Sequence, residues 1–310
     1  MTSSFDSDVV VVGAGPAGLA AALTLGRSMR RTLVLDSGAP RNAPAAHMHN
    51  VLGHDGLPPA ELRRRGRAEL AAYPTVAVRD EAVVSIAPGD GFTVTLAGGD
   101  DVTTRRVLLA SGVVDELPPI PGLAELWGST VLHCPYCHGF ETRGTRLAVL
   151  GAAPHAVFIA TLLRRYSDDV VLLTNGEQVE DLLDVPVHGG PVARLDAPAI
   201  VTFADGTTLE RDVVFAGGPA SQHAPFAADL GCALLPGGSV EVDEFGRTSV
   251  PGVSAAGDMA RRATLSGVMA AVTVATAGGL VAAVVIDQEL HAEDTGLRSP
   301  LPERAQLSAA

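Results

Sequence analysis

Short β-branched runs alternate with glycine turns and apolar helices along most of the chain. Val9–Val12 leads into Gly13-Ala14-Gly15-Pro16-Ala17-Gly18, an apolar helix begins near Leu19, and the strand Thr32–Leu35 ends at Asp36. This is the order of a βαβ dinucleotide-binding unit, in which glycines let a pyrophosphate approach backbone N–H groups and the acid accepts hydrogen bonds from ribose hydroxyls. The pattern predicts dinucleotide binding, with an ordinary βαβ unit as the alternative.

The same alternation continues through the middle and the end of the chain. The middle predicts a second βαβ unit, and the flanking stretches predict antiparallel strands and a terminal helix. The predicted strands are 76–84, 91–96, 102–109, 147–150, 170–173, 199–203 and 213–216, and a hairpin-like segment is predicted at 240–248. A charged helix is predicted at 61–73, an apolar helix that ends at 163, and an apolar terminal helix from 265. The stiff segment Leu117-Pro118-Pro119-Ile120-Pro121-Gly122 predicts a domain boundary.

The segment from Pro40 to Gly56 is rich in Pro, Gly, Asn and His and is predicted to be a loop. Its polar residues include Arg41, Asn42, His47, His49, Asn50 and Asp55. Loops of this kind often line ligand sites. A solvated connector is the alternative interpretation.

Composition excludes several classes of protein. The chain has 310 residues and a net charge of −13, which disfavours binding to nucleic-acid phosphates. Three cysteines do not make a secreted disulfide framework, and the polar first residues do not resemble a leader, so the cytoplasm is the expected compartment. The apolar stretch from Leu265 to Ile286 is predicted to be a buried helix rather than a membrane span.

A cysteine pair near the middle of the chain carries the clearest chemistry. The sequence reads His133-Cys134-Pro135-Tyr136-Cys137-His138, and a Cys-x-x-Cys pair can open and close a disulfide with little backbone movement. The flanking imidazoles provide a base near neutral pH. Half of a zinc site, a structural disulfide, and an ordinary half-buried His133 are the alternatives; we predict no metal, and a small buried residue at Cys232.

The order of these segments resembles the low-molecular-weight thioredoxin reductase family of flavoproteins, from about residue 8 to residue 290. The resemblance rests on the first glycine turn, the Cys-x-x-Cys pair, the second βαβ unit and Gly257-Asp258. It implies an α/β fold with two Rossmann-like domains of three layers (ββα), the second inserted into the first. An FAD-binding domain would comprise residues 1–116 and 246–310, and a NAD(P)-like domain with the cysteine pair would comprise residues 117–245.

The resemblance also implies the site residues. Cys134, Cys137, His138 and His133 would be catalytic, with Cys137 on the flavin side. The residues implied for FAD are Gly13, Gly15, Pro16, Ala17, Gly18, Asp36, Ser37, Arg41, Asn42, His49, Asn50, Val83, Ala110, Gly112, Gly257 and Asp258.

Two departures from the family pattern refine the expected function. Ala153 replaces a glycine of the second fingerprint, and Thr174-Asn175-Gly176 lacks the arginines that bind the NADPH 2′-phosphate in the family, so we expect NAD(P)H binding to be weak or absent. His138 stands where thioredoxin reductases have an acid. This resembles the FAD-dependent dithiol oxidases of the gliotoxin, holomycin and romidepsin type, most closely the bacterial holomycin type.

We therefore expect a homodimeric oxidase that turns a small-molecule dithiol into its disulfide, with O2 as acceptor and H2O2 as product. A reductase driven by NADPH or another donor, and a flavin-bound redox sensor, are the alternatives.

Overall fold

The computed structural model describes residues 5–179 and 184–302, and the chain divides into two compact units. Unit 1 comprises Met1–Arg41, Ala60–Val114 and Ser221–Ala310, and unit 2 comprises Asn42–Pro59 and Asp115–Ala220. Unit 2 therefore ends 25 residues before the predicted boundary at 245, and it includes the polar loop. The reason is that the chain after 220 pairs and packs within unit 1, as described below.

The elements follow the chain in three sections. The first comprises β1 (Ser7–Val12), α1 (Pro16–Arg27), β2 (Thr32–Leu35), α2 (Pro59–Leu70), β3 (Val76–Arg79), β4 (Val83–Gly89), β5 (Gly91–Leu96), β6 (Asp101–Leu109) and β7 (Val113–Asp115). The second comprises α3 (Leu123–Leu126), β8 (Val131–Leu132), α4 (Pro135–His138), β9 (Leu147–Leu150), α5 (Pro154–Leu163), β10 (Val170–Leu173), β11 (Val187–His188), β12 (Val192–Asp196), β13 (Ile200–Phe203), β14 (Thr208–Glu210) and β15 (Val213–Ala216). The third comprises β16 (Ala220–Gln222), α6 (Phe226–Asp229), β17 (Val240–Glu241), β18 (Val253–Ala255), β19 (Ala260–Arg261) and α7 (Val272–Thr295).

Unit 1 is built on a seven-stranded sheet that branches at β6. Strands β3, β2, β1, β6 and β18 run parallel. The first half of β6 also pairs with the antiparallel strand β5, which in turn pairs with β4. The parallel strands β1 and β2 are buried on both faces, which explains their uninterrupted Val and Leu runs.

Helices α1 and α7 pack together through small residues. Gly279 of α7 is buried, and a Cβ built on it would lie 2.0 Å from the carbonyl oxygen of Ala17 in α1. Ala282, Ala283 and Ile286 continue this face of α7 into the core of unit 1. The close approach fixes α7 against the helix that follows the first glycine turn.

Unit 2 has the predicted three layers. A parallel sheet in the order β11-β10-β9-β15-β8 has α5 on one face and the antiparallel sheet β12-β13-β14 on the other. Phe203 and Leu195 fill the space between the two sheets, and Ile159 and Leu163 of α5 cover the opposite face. The Rossmann-type α/β fold predicted from the sequence is therefore present.

Three predicted elements differ from the structure. The single strand predicted at 76–84 is two strands, since β3 pairs with β2 and β4 pairs with β5. The prediction of a hairpin at 240–248 is wrong, because β17 pairs in parallel with β19 rather than with residues 246–248. The chain after β17 forms a turn in which the N–H of Asp243 donates to the carbonyl oxygen of Arg247. The terminal helix begins at Val272 rather than Leu265 because the preceding residues form turns and extended backbone.

Helix α7 is also the one helix in the described residues that is long and apolar enough to cross a membrane. Its most apolar window has a mean hydropathy of 1.3, and 33% of that window is buried. The core helix of a folded domain passes the same test, so length and composition are weak evidence for a span. Its packing against α1 assigns one face of it to the core of unit 1.

Candidate active site

The first glycine turn closes tightly between β1 and α1. Gly13 has φ +106°, and a Cβ there would lie 2.4 Å from the carbonyl oxygen of Ala110 at the end of β6. A Cβ at Gly18 would lie 1.9 Å from the carbonyl oxygen of Gly13. By contrast, a Cβ at Gly15 would meet nothing within 4 Å. The turn therefore packs closely on the protein side and leaves open space at the N-terminus of α1.

Asp36 ends β2 beside this turn. Its Oδ1 accepts a hydrogen bond from the backbone N–H of Ala14 at 3.3 Å, and its Oδ2 pairs with the Arg67 guanidinium of α2. Arg63, on the same helix, is electrostatically coupled to both Asp36 and Arg67. The acid thus ties the turn, β2 and α2 together at the edge where a ribose would lie.

The Gly257-Asp258 segment approaches the same helix from the end of β18. Gly257 has φ +83°, and a Cβ there would lie 3.2 Å from the Cβ of Ala17. Asp258 Oδ2 accepts a hydrogen bond from the Arg41 guanidinium at 2.7 Å, and both side chains are about a quarter exposed or less. Two stretches separated by more than 200 residues are thereby joined within unit 1.

The remaining residues implied for FAD are divided between the units. Pro16 starts α1, Ser37 is exposed just after Asp36, Val83 starts β4, and Gly112 accepts a hydrogen bond from the N–H of His223 within unit 1. Three others, Asn42, His49 and Asn50, belong to unit 2.

The cysteine pair lies at the start of the short helix α4 in unit 2. Cys134 precedes the helix with extended backbone, and its carbonyl accepts hydrogen bonds from the N–H groups of Cys137 and His138 at 3.1 and 3.2 Å. Both cysteines are half-buried thiols in this structure, whereas Cys232 is buried in unit 1, as predicted. The turn of helix places the two thiols at neighbouring positions with His138 directly after them.

The polar loop is attached to α4 through Asn50. The Asn50 side-chain amide donates to the carbonyl oxygen of Tyr136, between the two cysteines, at 2.6 Å. Asn50 itself has φ +61°, and its N–H donates to Asp55 Oδ1 at 2.9 Å. This hydrogen bond is the first cause of a lowered Asp55 pKa, and His49 is the second. The loop therefore presents His49 to the helix that carries the cysteines.

His49 and His138 lie edge to face. Their ring centroids are 6.2 Å apart and their planes are at 87°. Burial lowers the pKa of His138, and the charge of His49 lowers it further, while Glu141 opposes these two effects. His138 is therefore held toward its neutral form, which can accept a proton from a thiol at neutral pH.

His133, the other histidine predicted to be catalytic, packs differently. Its ring stacks on the Trp127 indole, with centroids 5.8 Å apart and planes at 30°. This is the contact of a half-buried histidine in a packed environment. Asp55 was predicted only as one of the polar residues of the loop, and Glu141 was not predicted as a site residue.

Comparison with known proteins places these features in a family. Residues 7–279 match the family model described as pyridine nucleotide-disulphide oxidoreductase. The chain belongs to this family. It is a thioredoxin reductase-like member, as the resemblance predicted, and an oxidoreductase.

Two thioredoxin reductases and two solved structures are similar to this protein over most of its chain. Thioredoxin reductase tcpT of Claviceps purpurea is 33% identical over 97% of this chain and 100% of its own, and thioredoxin reductase sirT of Leptosphaeria maculans is 34% identical over 82% and 86%. The crystal structure of HlmI is 40% identical over 96% of both chains with a TM-score of 0.86. An oxidoreductase from Agrobacterium tumefaciens is 34% identical over 92% of this chain and 98% of its own, also with a TM-score of 0.86.

The family is FAD-binding, and unit 1 fits that cofactor. The fit is supported by the glycine turn at the N-terminus of α1, where Gly13 and Gly18 have no room for a side chain and Gly15 faces open space. Backbone N–H groups at such a helix terminus bind a pyrophosphate, and Asp36 stands at the ribose position. In the described residues, 5–179 and 184–302, no group of three His, Cys, Asp or Glu side chains could hold a metal ion.

Proposed function

We propose that the protein is an FAD-dependent oxidase that converts a small-molecule dithiol into its intramolecular disulfide. Two S–H bonds break and one S–S bond forms, while O2 takes up the two electrons and two protons and becomes H2O2. The observation that carries the proposal is the imidazole of His138, kept toward its neutral form directly beside the cysteine pair.

The proposed reaction starts from the Cys134–Cys137 disulfide. His138 accepts the proton of one substrate thiol, and the resulting thiolate attacks the sulfur of Cys134, so that Cys137 leaves as a thiolate. The second substrate thiol then gives its proton to the Cys137 thiolate and attacks the substrate sulfur held in the mixed disulfide. The cyclic disulfide departs, and Cys134 is left as a thiolate. FAD, which the turn from Gly13 to Gly18 and Asp36 would hold, would supply the acceptor for the electron pair of the reduced cysteines and the route from there to O2.

The end of β10 supports an oxidase that does not use NAD(P)H. Thr174 Oγ1 donates to the carbonyl oxygen of Glu177 at 2.7 Å, and Asn175 Oδ1 accepts from the N–H of Val192 at 2.7 Å. Both side chains at the position for a nucleotide ribose are thus bonded to the chain's own backbone. Ala153, at the first residue before α5, adds a methyl group where the family has a glycine.

The alternative is a reductase in which NADPH or another donor reduces the cysteine pair. The names of the relatives favour it, since those of Claviceps and Leptosphaeria are thioredoxin reductases. The parallel sheet and helix α5 of unit 2 also keep the architecture of a nucleotide-binding domain.

An anaerobic reduction experiment separates the two functions. We expect 1,4-dithiothreitol to bleach the visible flavin band, NADPH to leave it unchanged, and air to restore it with formation of H2O2. Cys134→Ser should abolish turnover with the flavin retained, and the matched control Cys232→Ser, far from α4 in sequence and buried, should turn over normally. Rapid bleaching by NADPH, or full activity of Cys134→Ser, would overturn the proposal.

We also propose a homodimer, which the family resemblance implies. The outer face of α7 exposes Val274, Leu280, Val281 and Val284, each between 38% and 49% accessible. Such a face is typical of a helix that packs against a second chain. Light scattering should give twice the mass of the 31.7 kDa chain, and the cytoplasm remains the compartment that we propose.

A further inference from the structure

His49 has a carboxylate at each ring nitrogen. Its Nδ1 lies 3.3 Å from Asp55 Oδ2, and its Nε2 lies 3.7 Å from Glu141 Oε1. The His49 side chain is only 17% exposed, whereas both carboxylates are open to solvent. A histidine held between two acids in this way retains a fixed ring orientation.

This arrangement gives His49 a different task from the flavin contact implied by the family resemblance. Both nitrogens are directed at carboxylates of unit 2, and the ring edge meets His138. The loop that holds His49 is tied to α4 by Asn50. The group that His49 can influence is therefore the imidazole beside Cys137.

We propose that His49 is a positioning residue for thiol deprotonation: held between Asp55 and Glu141, it orients the His138 ring and electrostatically opposes protonation of that ring, so that His138 is able to accept a proton. This inference rests on the proposed function, because it assigns His138 as the base. In the step, the substrate S–H bond breaks, the proton moves to the His138 ring, and the sulfur keeps the electron pair.

The sign follows from simple electrostatics. A positive charge about 6 Å from an imidazole disfavours its protonation, and removing that charge makes the imidazole easier to protonate. Glu141 acts in the opposite direction on His138. The titratable groups close to the two histidines are Asp55 from the loop, Glu141 from the turn after α4, Cys134 just before α4, Cys137 within α4, and Tyr166, whose ring lies next to Gly139.

The first test measures the protonation of His138 without catalysis. Holoprotein labelled with 13C at the histidine ring carbons is titrated by NMR, and His138→Gln assigns one signal among the nine histidines. We expect His138 to titrate at higher pH in His49→Gln than in the wild type. His54→Gln is the matched control, since His54 is an exposed histidine of the same loop. In that variant, His138 should titrate at the same pH as in the wild type. An unchanged His138 titration in His49→Gln would overturn the proposal.

The second test measures dithiothreitol oxidation as a function of pH. At about pH 6, kcat/KM of His49→Gln should be about three- to tenfold lower than that of the wild type, and above about pH 8 most of this difference should disappear. Asp55→Asn removes one of the two carboxylates beside His49 but keeps the His49 ring. We expect it to lower kcat/KM at acidic pH in the same way but by a smaller factor. A uniform loss at every pH in both variants would indicate a structural role and would reject the positioning role.

The two measurements also separate this inference from the proposed function. If wild-type protein fails to oxidise the dithiol but His138 still titrates differently in His49→Gln, the oxidase proposal fails and the coupling of the two histidines stands. If wild-type protein is an oxidase and the titration is unchanged, the role of His49 fails alone.

Discussion

Replacing Gly279 by alanine tests how tightly α7 must pack for unit 1 to hold its cofactor. The added Cβ would lie 2.0 Å from the carbonyl oxygen of Ala17, whereas real Cβ atoms essentially never come closer than 3.0 Å. Because the neighbour is backbone, α7 must move away from α1 by about 1 Å. Overpacking of this kind costs about 1–3 kcal/mol of unfolding free energy.

The adjacent Gly278 supplies the matched control. A Cβ there would lie 3.8 Å from the Cβ of Ala256, which is ordinary contact. Both substitutions gain the same helix propensity, about 1 kcal/mol for glycine to alanine in a helix interior. The difference between the two variants therefore isolates the clash, and Gly278→Ala should be at least as stable as the wild type.

Thermal and urea unfolding followed by circular dichroism measure this difference. We expect Gly279→Ala to be less stable than Gly278→Ala by about 1–3 kcal/mol, which corresponds to a few degrees in Tm. Since Ala17 lies two residues after Gly15, the same variant should release more flavin on gel filtration. Equal stability of the two variants within about 0.5 kcal/mol would refute the reasoning.

Three further predictions concern other sites. Asp243→Asn should cost about 3 kcal/mol in urea unfolding, because it removes the carboxylate that pairs at 2.6 Å with the buried Arg247 guanidinium, whose contact with Glu289 is longer at 3.8 Å. Asp36→Asn should weaken FAD binding, measured as flavin lost on dialysis, and an unchanged affinity would argue against its ribose role. On the acidic side, kcat/KM should begin to fall at a lower pH than an exposed histidine would give, because the lowered pKa of His138 keeps its ring unprotonated to lower pH. This acidic fall in kcat/KM should be absent in His138→Gln.

The sequence alone allowed most of the fold to be predicted, because its signals are local. Strands β2, β9, β10 and β15 have the predicted bounds, since buried parallel strands are continuous apolar runs. The antiparallel strand β5 also has the predicted bounds, because its buried positions alternate with partly exposed ones. The errors fall where pairing is not local. Whether residues 76–84 form one strand or two depends on which neighbours each half meets, β2 or β5.

The candidate site was predicted less completely, for a similar reason. Cys134, Cys137 and His138 are adjacent in sequence, so their chemistry could be inferred from spacing. His49 and His138 are 89 positions apart, and their edge-to-face contact depends on the loop from 42 to 59 joining unit 2. A polar loop predicts a ligand site, but no periodicity encodes which helix it will contact.

The division of unit 2 into two pieces of chain has a consequence for anyone who wishes to transplant its redox chemistry. A contiguous fragment from Asp115 to Ala220 carries both cysteines and His138, yet it omits His49, Asn50 and Asp55, which come from Asn42–Pro59. Grafting that fragment into another flavoprotein would transfer the nucleophiles without the groups that adjust their base. A working chimera needs the short loop supplied as a second insertion, so the exchangeable module of this protein is discontinuous in its gene.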